Sequence, residues 1–165
     1  MSNGQPTQPA WPEMHIVLVE PDIPPNTGNI ARLCAGTGAR LHLIEPLGFR
    51  LTDQALKRAG LDYWDAVTIQ RHACLDAFFA DVAPSRYFLF STKGRKNYTE
   101  MQYHPGDALI FGSETRGLPA ALIERCADQT LTIPMRRDAV RSINLSNAVA
   151  IVLYEALRQL GIQAE

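Results

Sequence analysis

Apolar residues fall along this chain in short blocks, set apart by polar stretches that carry glycine and proline. Six blocks are brief, nearly continuous and rich in β-branched or aromatic residues: HIVLVE (15–20), RLHLIEP (40–46), AVTIQR (66–71), RYFLFST (86–92), DALIFGSE (107–114) and QTLTIPM (129–135). They lack the strict alternation of a strand wetted on one face, which is the mark of strands covered on both sides. Between them lie segments with helical spacing or helix-ending signals: NIARLCAGTG (29–38), TDQALKRAG (52–60), ACLDAFFADVA (73–83), LPAALIERCA (118–127) and a closing helix at 144–160. Strand and helix alternate throughout. The pattern predicts one α/β domain over 14–165, a mostly parallel sheet with helices on both faces. The opening MSNGQPTQPAWPE (1–13) is polar and proline-rich and reads as a flexible tail. It has neither the charged start nor the apolar stretch of a secretory signal.

Open parallel sheets place their sites beyond the carboxyl ends of the strands. The loops expected there are EPDIPPNTGN, STKGRKNYTE, GSETRG and PMRRDAVRSINLSN, which hold much of the chain's Gly, Asn, Ser and Arg. NTGNIAR puts Asn26 in a loop and Arg32 one to two turns into a helix. GSETRGLP is a glycine-bracketed turn between a buried strand and a helix, where bare backbone can approach a ligand. It reads equally as a tight turn with Glu114 near the start of the following helix, where its charge suits the dipole. RSINLSN crowds Ser142, Asn144, Ser146 and Asn147 against the last helix, although one cap residue would suffice at about 1 kcal/mol. The surplus either faces water or shapes a ligand site beside Arg141.

Several chemistries are excluded by pattern. No G-x-G-x-x-G follows the first strand, which disfavours a nucleotide-dependent oxidoreductase. No Walker A motif and no G-x-S-x-G elbow is present. His15, His42, His72 and His104 are scattered and read as strand-end or surface residues, so no metal is expected. Cys34, Cys74 and Cys126 form no C-x-x-C and suit a reducing, cytoplasmic setting. No apolar run approaches the roughly 20 residues of a membrane span.

Composition changes the picture in one respect. With 165 residues and a formal net charge of −1, the chain has no overall basic field to attract nucleic acid. The expected site loops nonetheless concentrate Lys93, Arg95, Lys96, Arg136, Arg137 and Arg141, with Arg32 and Arg116 nearby. Basic loops gathered at one end of a sheet favour a phosphate-rich partner.

Three patterns in order, NTGNIARLCAGTGARLHLIEP, GSETRGLP and IPMRRDAVRSINLSNAVAIVLYEALRQLG, resemble the three motifs of the SPOUT class of RNA ribose methyltransferases. KRAGLDYW and STKG fit the same pattern, and the resemblance runs from about Met14 to Gly161. Within the class it is nearest to the minimal enzymes that methylate the 2'-hydroxyl of the tRNA wobble pyrimidine. The resemblance implies a C-terminal third threaded into a deep trefoil knot, a feature that general fold rules argue against. It implies S-adenosylmethionine held by Phe90, Gly112, Glu114, Ile133, Ser142 and Leu145. It assigns Asn26, Arg32, Lys93, Arg141, Asn147 and Tyr154 to the substrate side, with the tRNA anticodon stem-loop as partner. A guanidinium titrates above about 12 and is a poor base, so Arg32 is expected to bind a phosphate and stabilise oxyanion charge.

The resemblance also implies a homodimer; Leu33, Val149, Val152 and Leu153 are open to either core or interface. Two other readings stand beside the enzyme. One is a non-catalytic RNA-binding module of the same fold, which would need neither GSETRG nor RSINLSN intact. The other is a related methyltransferase acting on ribosomal RNA or elsewhere on tRNA, although such relatives commonly carry an added RNA-binding domain.

Overall fold

The computed structural model describes residues 10–52, 54, 58 and 65–164. Seven strands form one sheet: β1 (His15–Val19), β2 (Arg40–Ile44), β3 (Ile69–His72), β4 (Tyr87–Phe90), β5 (Lys96–Asn97), β6 (Ala108–Phe111) and β7 (Thr130–Thr132). Their order is β3-β2-β1-β6-β4-β7-β5, and every pair is parallel. The helices whose bounds fall among the described residues are α1 (Pro24–Thr37), α2 (Leu75–Val82), α3 (Ala120–Arg125) and α4 (Leu145–Gln159). The expected α/β fold with a parallel sheet is therefore present. Most of the helix expected over 52–60, all of the stretch KRAGLDYW but Arg58, and residues 1–9 of the expected tail lie outside the described residues.

The continuous apolar strands have a simple cause. Successive residues point to opposite faces, and both faces are covered. Ile16, Leu18, Leu41, Leu43, Phe88, Phe90, Leu109 and Phe111 pack with α1 and α4 in one core. Val17, Val19, Leu89 and Ile110 pack on the other face with Phe78 of α2 and Leu122 of α3. Trp11 is partly buried against the first core. Val149, Val152 and Leu153 are fully buried, so these three belong to the core, and Leu33 packs against it.

Two local expectations are corrected. Helix α1 begins at Pro24, five residues before the expected start at 29, because proline suits the first helical positions, where the missing N–H costs nothing. Asn26 therefore lies buried in the first turn of a helix, not in a loop. The stretch STKGRKNYTE, read as a loop, contains the short edge strand β5 paired to β7.

Three of the four histidines are also not scattered. His15 Nδ1 stands 2.9 Å from His42 Nε2, and His42 Nδ1 stands 3.0 Å from His72 Nε2, a buried row across three strands. Phe78 covers it edge-on. Burial first, then the facing His15 and His72 and nearby Arg40, push the His42 pKa down to about 3. A histidine that titrates near 6.5 when unfolded but lower when folded stabilises the fold at neutral pH. That contribution fades as pH falls below about 6.5. Thermal unfolding of the protein is expected to lose roughly 1–2 kcal/mol of stability between pH 7 and pH 5. His42→Leu should be less stable at pH 7 but show a flatter dependence over that range.

Candidate functional site

The register sets the site. Leu18 pairs with Phe111, Phe111 with Phe90, and Phe90 with Leu131, so four strands finish on nearly one line. The loops after β4, β6 and β7 leave from this line and meet. They enclose a cavity of about 310 Å³, within the size range of small-ligand sites. Its floor includes Phe90 and Phe111, whose rings stack with centroids 4.8 Å apart. Its walls come from 91–93, 112–118, 132–135 and 141–145.

All six residues expected on the cofactor side, Phe90, Gly112, Glu114, Ile133, Ser142 and Leu145, line this cavity, as do Lys93 and Arg141. Asn26, Arg32, Asn147 and Tyr154 do not line it. Arg32, Asn147 and Tyr154 stand exposed on the outer faces of α1 and α4. Asn26 is tied to the cavity's edge by Asn144, whose Nδ2 donates to Asn26 Oδ1 at 3.1 Å.

Asn144 answers for the crowded polar run before α4. Its Oδ1 accepts from the Ser146 N–H at 2.9 Å, the Asn147 N–H at 3.3 Å and the Ser146 hydroxyl at 2.5 Å. It is the N-cap of α4. With the oxygen occupied by three donors, the amide nitrogen is turned to Asn26. Ser142 lines the cavity and Asn147 faces outward. Asn144, one of the four polar residues crowded before α4, carries the bond to Asn26, and Asn147, matched to the third motif by resemblance, contributes only its N–H to the cap. The cap preference of Asn at a helix start was the available signal.

Glu114 lines the cavity, but its carboxylate does not serve the helix that follows it, as the tight-turn reading has it; it turns to the start of α1. It accepts from the Asp22 N–H at 3.1 Å and from the Ile23 N–H. Burial raises the Glu114 pKa from its ordinary value, and these two donors act against that rise. Asp22 in turn accepts from the Thr115 hydroxyl and stands 3.8 Å from Arg116.

Two backbone approaches shape the wall. A Cβ on Gly112 would lie 2.2 Å from both the Gly117 carbonyl carbon and the Leu118 nitrogen. A bridge between Ser113 and Gly117, with the Gly117 N–H donating to the Ser113 carbonyl at 2.9 Å, folds the loop back on itself. Nearby, the Arg137 guanidinium donates to the Thr92 carbonyl and joins the two basic loops. Among the described residues, no cluster of three or more His, Cys, Asp or Glu could hold a metal, and no helix is long and apolar enough to cross a membrane.

Comparison with known proteins gives consistent results. The SpoU rRNA Methylase family model matches residues 13–154. The tRNA (cytidine(34)-2'-O)-methyltransferase of Escherichia coli (strain K12) is 54% identical over 149 residues, which cover 90% of this chain and 94% of that protein. A solved structure described as giving structural insights into the 2-OH methylation of C/U34 on tRNA has a TM-score of 0.85 at 47% identity, covering 90% of this chain and 97% of that one. The AdoMet-bound rRNA methyltransferase from Sinorhizobium meliloti has a TM-score of 0.79 at 27% identity, covering 93% of this chain and 59% of that one.

Gly112→Ala forces the Gly117–Leu118 backbone to move, because backbone atoms cannot swing aside as a side chain can. Overpacking of this kind costs about 1–3 kcal/mol. The variant is expected to unfold several degrees below wild type by calorimetry.

Proposed function

The chain belongs to the SpoU rRNA methylase family, and from that membership we propose that it transfers a methyl group from S-adenosylmethionine to the ribose 2'-hydroxyl of the wobble pyrimidine, cytidine or 5-modified uridine, in the tRNA anticodon loop. One observation carries the reading: the second- and third-motif loops and the loop after β4 line a single cavity, and Asn144 ties its edge to Asn26 of the first motif. The E. coli relative and the C/U34 structure support a tRNA substrate over ribosomal RNA. The intact GSETRG and RSINLSN walls support an enzyme over a passive RNA-binding module. Such a substrate places the protein's work in the cytoplasm.

The cavity fits the proposed methyl donor. The Phe90–Phe111 floor is apolar and the Gly112 backbone carries no Cβ. Thr132, a wall residue, has a buried hydroxyl oxygen with no hydrogen-bond partner among the described residues. Phe90, Gly112, Ile133, Ser142 and Leu145 would hold the donor, and Glu114 would support its loop. When bound, S-adenosylmethionine supplies a methyl group already activated on a sulfonium.

The remaining tasks fall to the chain: to align the 2'-oxygen and to hold charge as its proton leaves. Alignment alone can supply a large share of the rate. Asn26, with its Oδ1 engaged by Asn144, keeps its Nδ2 to donate to the ribose. Arg32 binds the adjacent phosphate and stabilises oxyanion charge. Lys93 and Arg141 draw the RNA backbone toward the cavity mouth.

Arg32, Asn147 and Tyr154 work from a second protomer in this reading. Helices α1 and α4 pack together. On the outer face of α4, Ile151 is 37% and Tyr154 47% exposed. That apolar face supports a homodimer in which each protomer lends these side chains to its partner's cavity. We also read the C-terminal third as trefoil-knotted. Membership of the SpoU family supports such threading.

Incubation with methyl-labelled cofactor and bulk tRNA, followed by mapping of the modified ribose, is expected to place the label on a pyrimidine at position 34. Arg32→Ala should lose nearly all activity and Arg32→Lys should keep a measurable part. Wild-type-level activity in Arg32→Ala would reject the role given to Arg32. Ile151→Asp with Tyr154→Asp should sediment as a monomer and lose activity.

A further inference from the structure

Helix α1 starts without the usual means of holding its first turn. Its first two positions are Pro24 and Pro25, which have no N–H, and its N-cap Ile23 has no side-chain acceptor. In a capping box, a Glu or Gln at the third helical position reaches back to the N-cap N–H. Here that position is Asn26, buried and bonded to Asn144. The reach-back comes from 91 residues away: Glu114, in the wall of the cavity, accepts from the Ile23 and Asp22 N–H groups.

The contact is returned. The Asp22 carboxylate accepts from the Thr115 hydroxyl, next to Glu114. Thr115 and Arg116 line the cavity too. Glu114's loop is held closed by the Arg116 N–H, which donates to Ser113 Oγ at 3.0 Å. On its other side, the Asp22 segment is pressed against Gly48, where a Cβ would lie 2.8 Å from Asp22 Cα. The Gly48 N–H donates to the Pro21 carbonyl at 2.9 Å. The entry to α1 is thus held between Gly48 and the cavity loop.

We propose that Glu114 is a positioning residue: it caps α1 in trans and couples occupancy of the cofactor cavity to the placement of Asn26 and Arg32. The inference rests on the methyltransferase reading and deepens it. Bound cofactor orders the 112–118 loop, the loop fixes the first turn of α1, and the RNA-binding side is then preorganised. Coupling of this kind is reciprocal, so bound tRNA tightens cofactor binding by the same factor.

The test uses full-length wild-type protein, Glu114→Ala and Thr115→Val, with S-adenosylhomocysteine and an unmodified tRNA transcript as probes. In wild type, S-adenosylhomocysteine should tighten tRNA binding severalfold and slow hydrogen exchange in the first turns of α1. In Glu114→Ala, which removes the acceptor for the Asp22 and Ile23 N–H groups, affinity for S-adenosylhomocysteine should change less than about 3-fold. Both couplings should vanish, and kcat at saturating cofactor and tRNA should fall at least 10-fold. Thr115→Val removes only the return bond and should weaken the coupling with a smaller loss of kcat. It carries the test should Glu114→Ala fail to fold.

A Glu114→Ala enzyme that loses cofactor affinity but keeps kcat at saturation would overturn the proposal and make Glu114 a direct ligand. So would exchange in wild-type α1 that ignores S-adenosylhomocysteine. If wild type methylates no tRNA while the exchange coupling is present and Glu114-dependent, the functional reading fails and the positioning role stands.

Discussion

The level ending of four parallel strands is the constraint from which the rest of this molecule follows. Leu18, Phe111, Phe90 and Leu131 stand side by side in register. A slip of one residue in any of these strands would turn its apolar set onto the wrong face. Both faces are buried, by α1 and α4 on one side and by α2 and α3 on the other, so the register is firmly specified. Because the strands end together, the loops that follow must share the same small space. The cavity is the consequence, with an aromatic floor supplied by the last residues of β4 and β6.

Polar residues then join elements that the sheet alone would leave independent. Asn144 caps α4 and bonds to Asn26 of α1. Glu114 of the β6 loop holds the entry of α1. Each uses a helix terminus, where backbone groups lack partners within the helix, as the point of attachment. The same side chains therefore satisfy the backbone and fix the distance between motifs far apart in sequence. The surplus of polar groups at the start of α4 resolves into separate tasks: Ser142 on the cavity wall, Asn144 and Ser146 in the cap, and Asn147 outward.

Much of the fold was legible because burial on both faces leaves a plain trace. HIVLVE and RYFLFST each contain a strand within a residue or two of the expected limits, and DALIFGSE contains one that ends three residues early at Phe111. The cavity wall was legible too, since GSETRG and RSINLSN announce backbone access and capping. Partnerships across long sequence distance were not. The three histidines lie 27 and 30 residues apart and meet only because β1, β2 and β3 are neighbours. Glu114 looked like a charge for its own helix, and only the tertiary fold reveals that α1 needs it more. Ile23 before Pro24-Pro25 was a usable hint, because an N-cap without a side-chain acceptor leaves any cap to be supplied from elsewhere.

The most direct test is a crystal structure of the protein with S-adenosylhomocysteine and an anticodon stem-loop RNA. The account predicts the adenosine moiety between the loops after β4, β6 and β7. The 2'-oxygen of nucleotide 34 should stand beside Asn26, about 3–3.5 Å from where the transferable methyl would lie. Ligand bound at the opposite end of the sheet, near Arg86 and His104, or a ribose held away from Asn26, would contradict it.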